Sequence, residues 1–85
     1  MADNSFQIFI KDLKDKTLVI DVKSSDTIKD ITYKINKRNG IPIHEQILIW
    51  AGKKLKNDLT IKDYQIKKES TIYLVLRLKG GTNMY

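Results

Sequence analysis

The sequence contains no cysteine, which removes disulfides, thiolate metal sites, iron–sulfur clusters and cysteine nucleophiles together. A reducing compartment suits such a chain. Histidine is almost as scarce: His44 stands alone, in a loop after Pro42 and beside Glu45, with no second imidazole to complete a metal site or a catalytic dyad. A lone loop histidine is ordinarily a solvated turn residue. Gly-x-Ser-x-Gly, Gly-x-Gly-x-x-Gly and phosphate-loop motifs are missing, and Gly80-Gly81 is not followed by the Lys-Ser/Thr that would engage phosphate. Glu69-Ser70-Thr71 offers hydroxyls without a nearby base, so it reads as a turn entering a strand. No enzymatic constellation remains, and neither a metal nor a cofactor is expected. The longest unbroken apolar run, Ile72 to Leu76, is far short of the roughly 20 residues that span a bilayer. Residues 1–5 lack the basic start and apolar stretch of a signal peptide. A soluble protein of the cytoplasm and nucleus, with no membrane partner, is the expectation.

At 85 residues the chain has room for one compact domain, which would bury about 60 to 65% of its unfolded surface. The net charge is +6, concentrated in the middle third, where Lys29, Lys34, Lys37, Arg38, Lys53, Lys54 and Lys56 face only Asp30 and Glu45. Basic domains invite a nucleic-acid reading because lysine and arginine displace counterions from phosphates. Here guanidinium forks, the usual readers of base edges, are limited to Arg38 and Arg77, and Tyr33, Trp50, Tyr64 and Tyr73 are too scattered to form a stacking platform. A lysine-rich solvated surface is the better reading, with no specific nucleic-acid partner.

Phe6, Ile8 and Ile10 alternate with other residues, and after Asp12-Leu13-Lys14-Asp15 the alternation resumes at Leu18, Ile20 and Val22; this predicts a β-hairpin. Thr27 with Asp30 three residues on has the form of a capping box, and Ile28, Ile31 and Ile35 mark one helical face. Lys37 and Arg38 in a last turn, Gly40 as a left-handed cap and Pro42 beyond predict where that helix stops. Gln46 to Trp50 reads as a short strand, Ala51-Gly52-Lys53 as a turn, and residues 71–78 as a longer strand. Residues 54–70 are weakly patterned.

A sheet has two faces, and one helix can cover only one of them. If Leu48 and Trp50 face the helix, Ile47 and Ile49 turn away; if Ile72, Leu74 and Leu76 are buried, Tyr73, Val75 and Arg77 point outward. The result is an exposed apolar patch rimmed by lysines, a pattern that usually marks a docking surface. The alternative is that residues 54–70 fold over this face, but their many charges make a poor lid. At the end of the chain Gly80-Gly81 can add nothing to a core. A terminus without side chains can thread a narrow channel and present a carboxyl or a peptide bond to another protein.

The stretches Gln7-Ile8-Phe9, Ser25-Asp26-Thr27-Ile28, Gly40-Ile41-Pro42, Leu48-Ile49, Ala51-Gly52-Lys53, Asp63-Tyr64, Lys68-Glu69-Ser70-Thr71 and Leu74-Val75-Leu76-Arg77-Leu78-Lys79-Gly80-Gly81 closely resemble the ubiquitin family, without a gap over residues 6–81. The resemblance implies an α+β, β-grasp fold, a mixed sheet packed on one main helix. It divides the chain into an N-terminal extension (1–5), the ubiquitin-like domain (6–78), a flexible diglycine tail (79–81) and a removable extension (82–85). It also implies a monomeric protein modifier, joined through Gly81 to substrate lysines by activating, conjugating and ligating enzymes once C-terminal hydrolases have freed the carboxylate.

By the same resemblance, Leu13, Ile49 and Val75, with Tyr73 in place of the usual histidine, form the patch read by ubiquitin receptors. Arg77 serves recognition by the activating enzyme, Gly80 and Gly81 conjugation, and Lys11, Lys16, Lys34, Lys53 and Lys68 chain linkage. Thr32 and Arg38 stand where two further family lysines would be, Ile47 and Leu59 replace arginines, Lys29 replaces an acid and Phe6 takes the place of the initiator methionine. Such departures imply a divergent, specialised or virus-encoded member. The competing expectation is an interaction module or decoy that binds ubiquitin receptors without ever being conjugated.

Overall fold

A computed structural model describes residues 4–77. Two strands, β1 (Ser5–Lys11) and β2 (Thr17–Lys23), form the expected antiparallel hairpin, with Ile8 opposite Ile20 and Ile10 opposite Leu18. Asp12 closes its loop. The Asp12 N–H donates to Lys16 O at 3.0 Å, and its Oδ1 accepts from the N–H groups of Lys14 at 2.8 Å and Lys16 at 3.0 Å. Asp15 adopts a left-handed φ of 65°, which aspartate tolerates better than most side chains.

The helix α1 (Ile28–Asn39) begins and ends where its sequence signals lie. Thr27 Oγ1 accepts from the Asp30 N–H at 3.1 Å, and Asp30 Oδ2 accepts from the Thr27 N–H at 2.9 Å, a complete capping box. Gly40 stops the helix at φ 78°, donating its N–H to Asn36 O at 2.7 Å. A 3₁₀ turn (Ile43–Glu45) leads into β3 (Gln46–Trp50), β4 (Lys53–Lys54) and finally β5 (Thr71–Leu76). The sheet order is β2-β1-β5-β3-β4, with β1 and β5 parallel and every other pair antiparallel. A mixed sheet against one helix is the β-grasp arrangement expected.

Two local expectations need correction. Lys53 belongs to β4 rather than to the turn, because Ala51 (φ 54°) and Gly52 (φ 77°) make the reversal by themselves, a two-residue hairpin connection. Leu76, expected in the core by parity, is 44% exposed. The position opposite Leu76 is held not by an apolar residue but by Gln46, whose amide donates to Thr32 O and Ile41 O at 3.1 Å each. Leu78 and the tails 79–81 and 82–85 lie outside the described residues, as do residues 1–3.

The core joins Ile28, Ile31 and Ile35 to the inward residues of β1, β2, β3 and β5, with Phe6, Leu18 and Trp50 packed at its margin. Leu55, Ile61 and Ile66 complete it, so the weakly patterned segment 54–70 does cover a face of the molecule, but the face that α1 already shares. Its backbone is tied to the start of the helix. The N–H groups of Ile28 and Lys29, which have no intrahelical acceptor, donate to Leu59 O at 2.9 Å and Asn57 O at 3.2 Å. In return, the N–H groups of Ile61 and Lys62 donate to Asp26 O and Ser24 O, both at 2.9 Å. Tyr64 Oη accepts from the Lys56 N–H at 2.8 Å, anchoring the segment's middle.

Candidate functional site

Strand pairing fixes what the other face of the sheet presents. Directly opposed residues project to the same side, so Lys54, Ile49, Tyr73, Lys11 and Thr17 form one row running across all five strands. Ile47 and Val75 make the adjacent row. Tyr73 is 50% exposed, while Ile47, Ile49 and Val75 are half-buried against one another. Four apolar or aromatic side chains thus form a contiguous block, with the ammonium groups of Lys54 and Lys11 on either side of the Ile49–Tyr73 pair. Residues 54–70 do not cover it. Further along the same face, Phe9 is opposite Val19, a second apolar pair on the outward parity of the hairpin's alternation.

Leu13 lies on the β1–β2 loop, 82% exposed, because Asp12 holds the loop in a turn whose tip has no neighbouring element. Between this loop and the end of β5 lies an apolar groove of about 650 Å³, lined by Asp12, Leu13, Ile41, Leu74, Val75 and Leu76 among others. Val75 belongs to both groove and block, so Leu13 joins the patch through Val75 rather than through Ile49. The sequence reading missed Ile41 and Leu76 as lining residues; exposure at the end of a strand depends on what lies beside it in space, which parity does not report.

Arg77 lies just beyond β5 with its side chain exposed, and its N–H donates to Glu45 O at 2.6 Å, carrying the ladder one residue past the strand. Gly80 and Gly81, the expected conjugation residues, lie outside the described residues. The candidate linkage lysines do not cluster. Lys11 sits in the patch row with Nζ 3.5 Å from Asp15 Oδ1, Lys16 on the hairpin loop, Lys34 half-buried on α1, Lys53 on β4 and Lys68 in the loop before β5. At two positions without lysine the local chemistry is satisfied otherwise: Thr32 is buried with its hydroxyl donating to Lys29 O at 2.6 Å, and Arg38 Nη1 donates to Val19 O at 3.0 Å.

Among the described residues no group of three or more histidine, cysteine or acidic side chains is arranged to hold a metal ion. His44 Nε2 lies 3.9 Å from Glu45 Oε2 in an exposed turn. What the geometry offers is recognition: a flat apolar block between lysines, continuous with a groove, on a sheet with a basic arginine at the exit of its last strand.

Comparison with known proteins agrees with that geometry. The model described as the ubiquitin family matches residues 8–79. NEDD8-like protein RUB3 of Arabidopsis thaliana is 39% identical over 75 residues, 88% of this chain and 96% of that protein. Ubiquitin-like protein NEDD8 of Dictyostelium discoideum is 36% identical over 74 residues, 87% of this chain and 96% of that protein. AN1-type zinc finger protein 4 of Mus musculus is 32% identical over 78 residues, which are 92% of this chain but 11% of that protein.

Proposed function

Because this chain belongs to the ubiquitin family, a family of modifiers that are generally not enzymes, we propose that it is itself a protein modifier, joined through Gly81 to lysines of substrate proteins. The observation that carries the reading is the match to small NEDD8-like proteins over nearly their whole length. In this account a C-terminal hydrolase removes residues 82–85, and the freed Gly81 carboxylate attacks ATP to give an acyl-adenylate and pyrophosphate. A thiol of the activating enzyme then displaces AMP. The thioester passes to a conjugating enzyme, and a substrate lysine amine, guided by a ligating enzyme, takes the acyl group to form an isopeptide bond. Arg77, exposed where β5 ends, supplies a cation for the activating enzyme to select. Receptors in the cytoplasm and nucleus read the conjugate through Leu13, Ile49, Tyr73 and Val75.

The test is a thioester assay on chains ending at Gly81 and at Tyr85, with activating enzymes of both the ubiquitin and the NEDD8 type. The shortened form should be charged by one of them and the full-length form by neither; Arg77→Leu should slow charging. Failure of the shortened form with both enzymes leaves the second reading, an interaction module that is never conjugated. That reading is favoured by the zinc finger relative, in which the matching region is a small part of a larger protein.

A further inference from the structure

The outer face of α1 has an organisation of its own. Ile28, Ile31, Thr32 and Ile35 are buried, and on the side away from them Lys29, Tyr33 and Lys37 follow one another at intervals of four residues, a file about 12 Å long. Tyr33 is 49% exposed; the other large apolar side chains that stand out this far among the described residues belong to the hairpin or to β5. Lys34 flanks the file, half-buried. The one acid of the helix, Asp30, has its Oδ2 engaged by the Thr27 N–H at 2.9 Å. No ion pair within 4.0 Å involves Lys29, Lys34 or Lys37 among the described residues; the pairs found are Lys11 with Asp15 and His44 with Glu45. The helix therefore presents an aromatic ring between ammonium groups that make no ion pair within 4.0 Å among the described residues.

We propose that this face is a second recognition surface, which binds an acidic amphipathic helix of a partner protein, with Tyr33 as the apolar anchor and Lys29 and Lys37 as its charged brackets. Charge complementarity names the occupant. Two carboxylates eight residues apart, with a leucine midway, repeat the spacing of the file with opposite sign, and an aromatic anchor ringed by polar contacts is the usual build of a small interface. A nucleic-acid duplex fits less well. The file is a single helix face of lysines, and the one guanidinium of α1, Arg38, is turned to Val19 O at 3.0 Å. This surface requires neither a free Gly81 nor the sheet patch, so its test is independent of conjugation.

The probe is a blocked, alanine-rich helical peptide of about five turns, carrying glutamates eight residues apart with leucine midway, titrated into the full chain and followed by amide chemical shifts and fluorescence anisotropy. Shifts should concentrate on residues 29–38 and saturate. Tyr33→Ala, and Lys29→Glu together with Lys37→Glu, should each weaken binding by about tenfold or more, while Ile49→Ala leaves it unchanged. A peptide with lysines in place of the glutamates should bind the doubly reversed variant and not the parent. Melting curves matching the parent's confirm that the variants, at exposed Lys29, Tyr33 and Lys37 and at half-buried Ile49, remain folded. The proposal is overturned if no shift saturates, if the shifts map to β3 and β5, if the charge reversal fails to restore binding, or if a short DNA duplex competes the peptide away.

Discussion

The two faces of the sheet are made of the same kinds of side chain and meet different fates. Ile8, Ile10, Ile20, Val22, Leu48, Ile72 and Leu74 on the inner face are each 4% exposed or less, whereas on the outer face Ile47, Ile49 and Val75 remain half-buried and Tyr73 half-exposed. Alternation along a strand sends residues to both sides without preference. What separates core from exposed surface here is cover: α1 and residues 55–66 lie over one face, and no described element lies over the other. Apolar character by itself therefore does not assign a role. A covered isoleucine holds the fold together, and an uncovered one is available to a partner.

Truncations on the covered side should have the largest effects. Ile35→Ala and Ile61→Ala, both at 0% exposure, should each lower unfolding stability by about 2 to 5 kcal/mol, measured by denaturant titration. The pairing is deliberate, since Ile35 lies on a regular helix and Ile61 in the irregular cover. A cost near zero at Ile61 would mean that α1 alone makes the inner face a core. Leu76→Ala separates cover from parity. Leu76 has inner-face parity but is 44% exposed, so its truncation should cost about 1 kcal/mol or less; a loss in the range of Ile35→Ala would restore parity as the deciding factor.

The hairpin, the helix with both caps, β3 and β5 were legible because each is specified within a few residues: alternation for strands, Thr27 with Asp30 and Gly40 for the helix ends. The block of Ile49, Tyr73 and Val75 was legible for the same reason, since strand parity is local. Residues 54–70 were not, because Leu55, Ile61 and Ile66 recur at no helical or strand period. They are held in place by hydrogen bonds between residues 57–62 and residues 24–29, pairings that sequence spacing does not announce. The exchange between Thr60 and Asp63, with each side chain accepting from the other's N–H at 3.0 and 2.9 Å, repeats the pattern of Thr27 and Asp30 and was the available clue that the segment is ordered. The groove at Ile41 and Leu76 was hidden because it is formed where the β1–β2 loop, Ile41 and the end of β5 meet, a juxtaposition that strand spacing does not report. The roles expected of Arg77, Gly80 and Gly81 rest on family resemblance.

The smallest expected effect on stability is at Leu13, and it tests the open side of the comparison most cleanly. At 82% exposure its side chain contributes little to the fold, so Leu13→Ala should change unfolding stability by less than about 0.5 kcal/mol. The same leucine overhangs the groove beside Val75, where a receptor helix lying across Ile49 and Tyr73 would reach it. If the loop is part of the patch, the substitution should weaken binding of a ubiquitin-receptor helix by about tenfold, about 1.4 kcal/mol, with an unchanged melting curve. A large binding loss without a stability loss is the signature of an uncovered apolar side chain, the reverse of Ile35→Ala. Equal binding by Leu13→Ala and the parent would end the patch at Val75 and leave the groove without a part in receptor recognition.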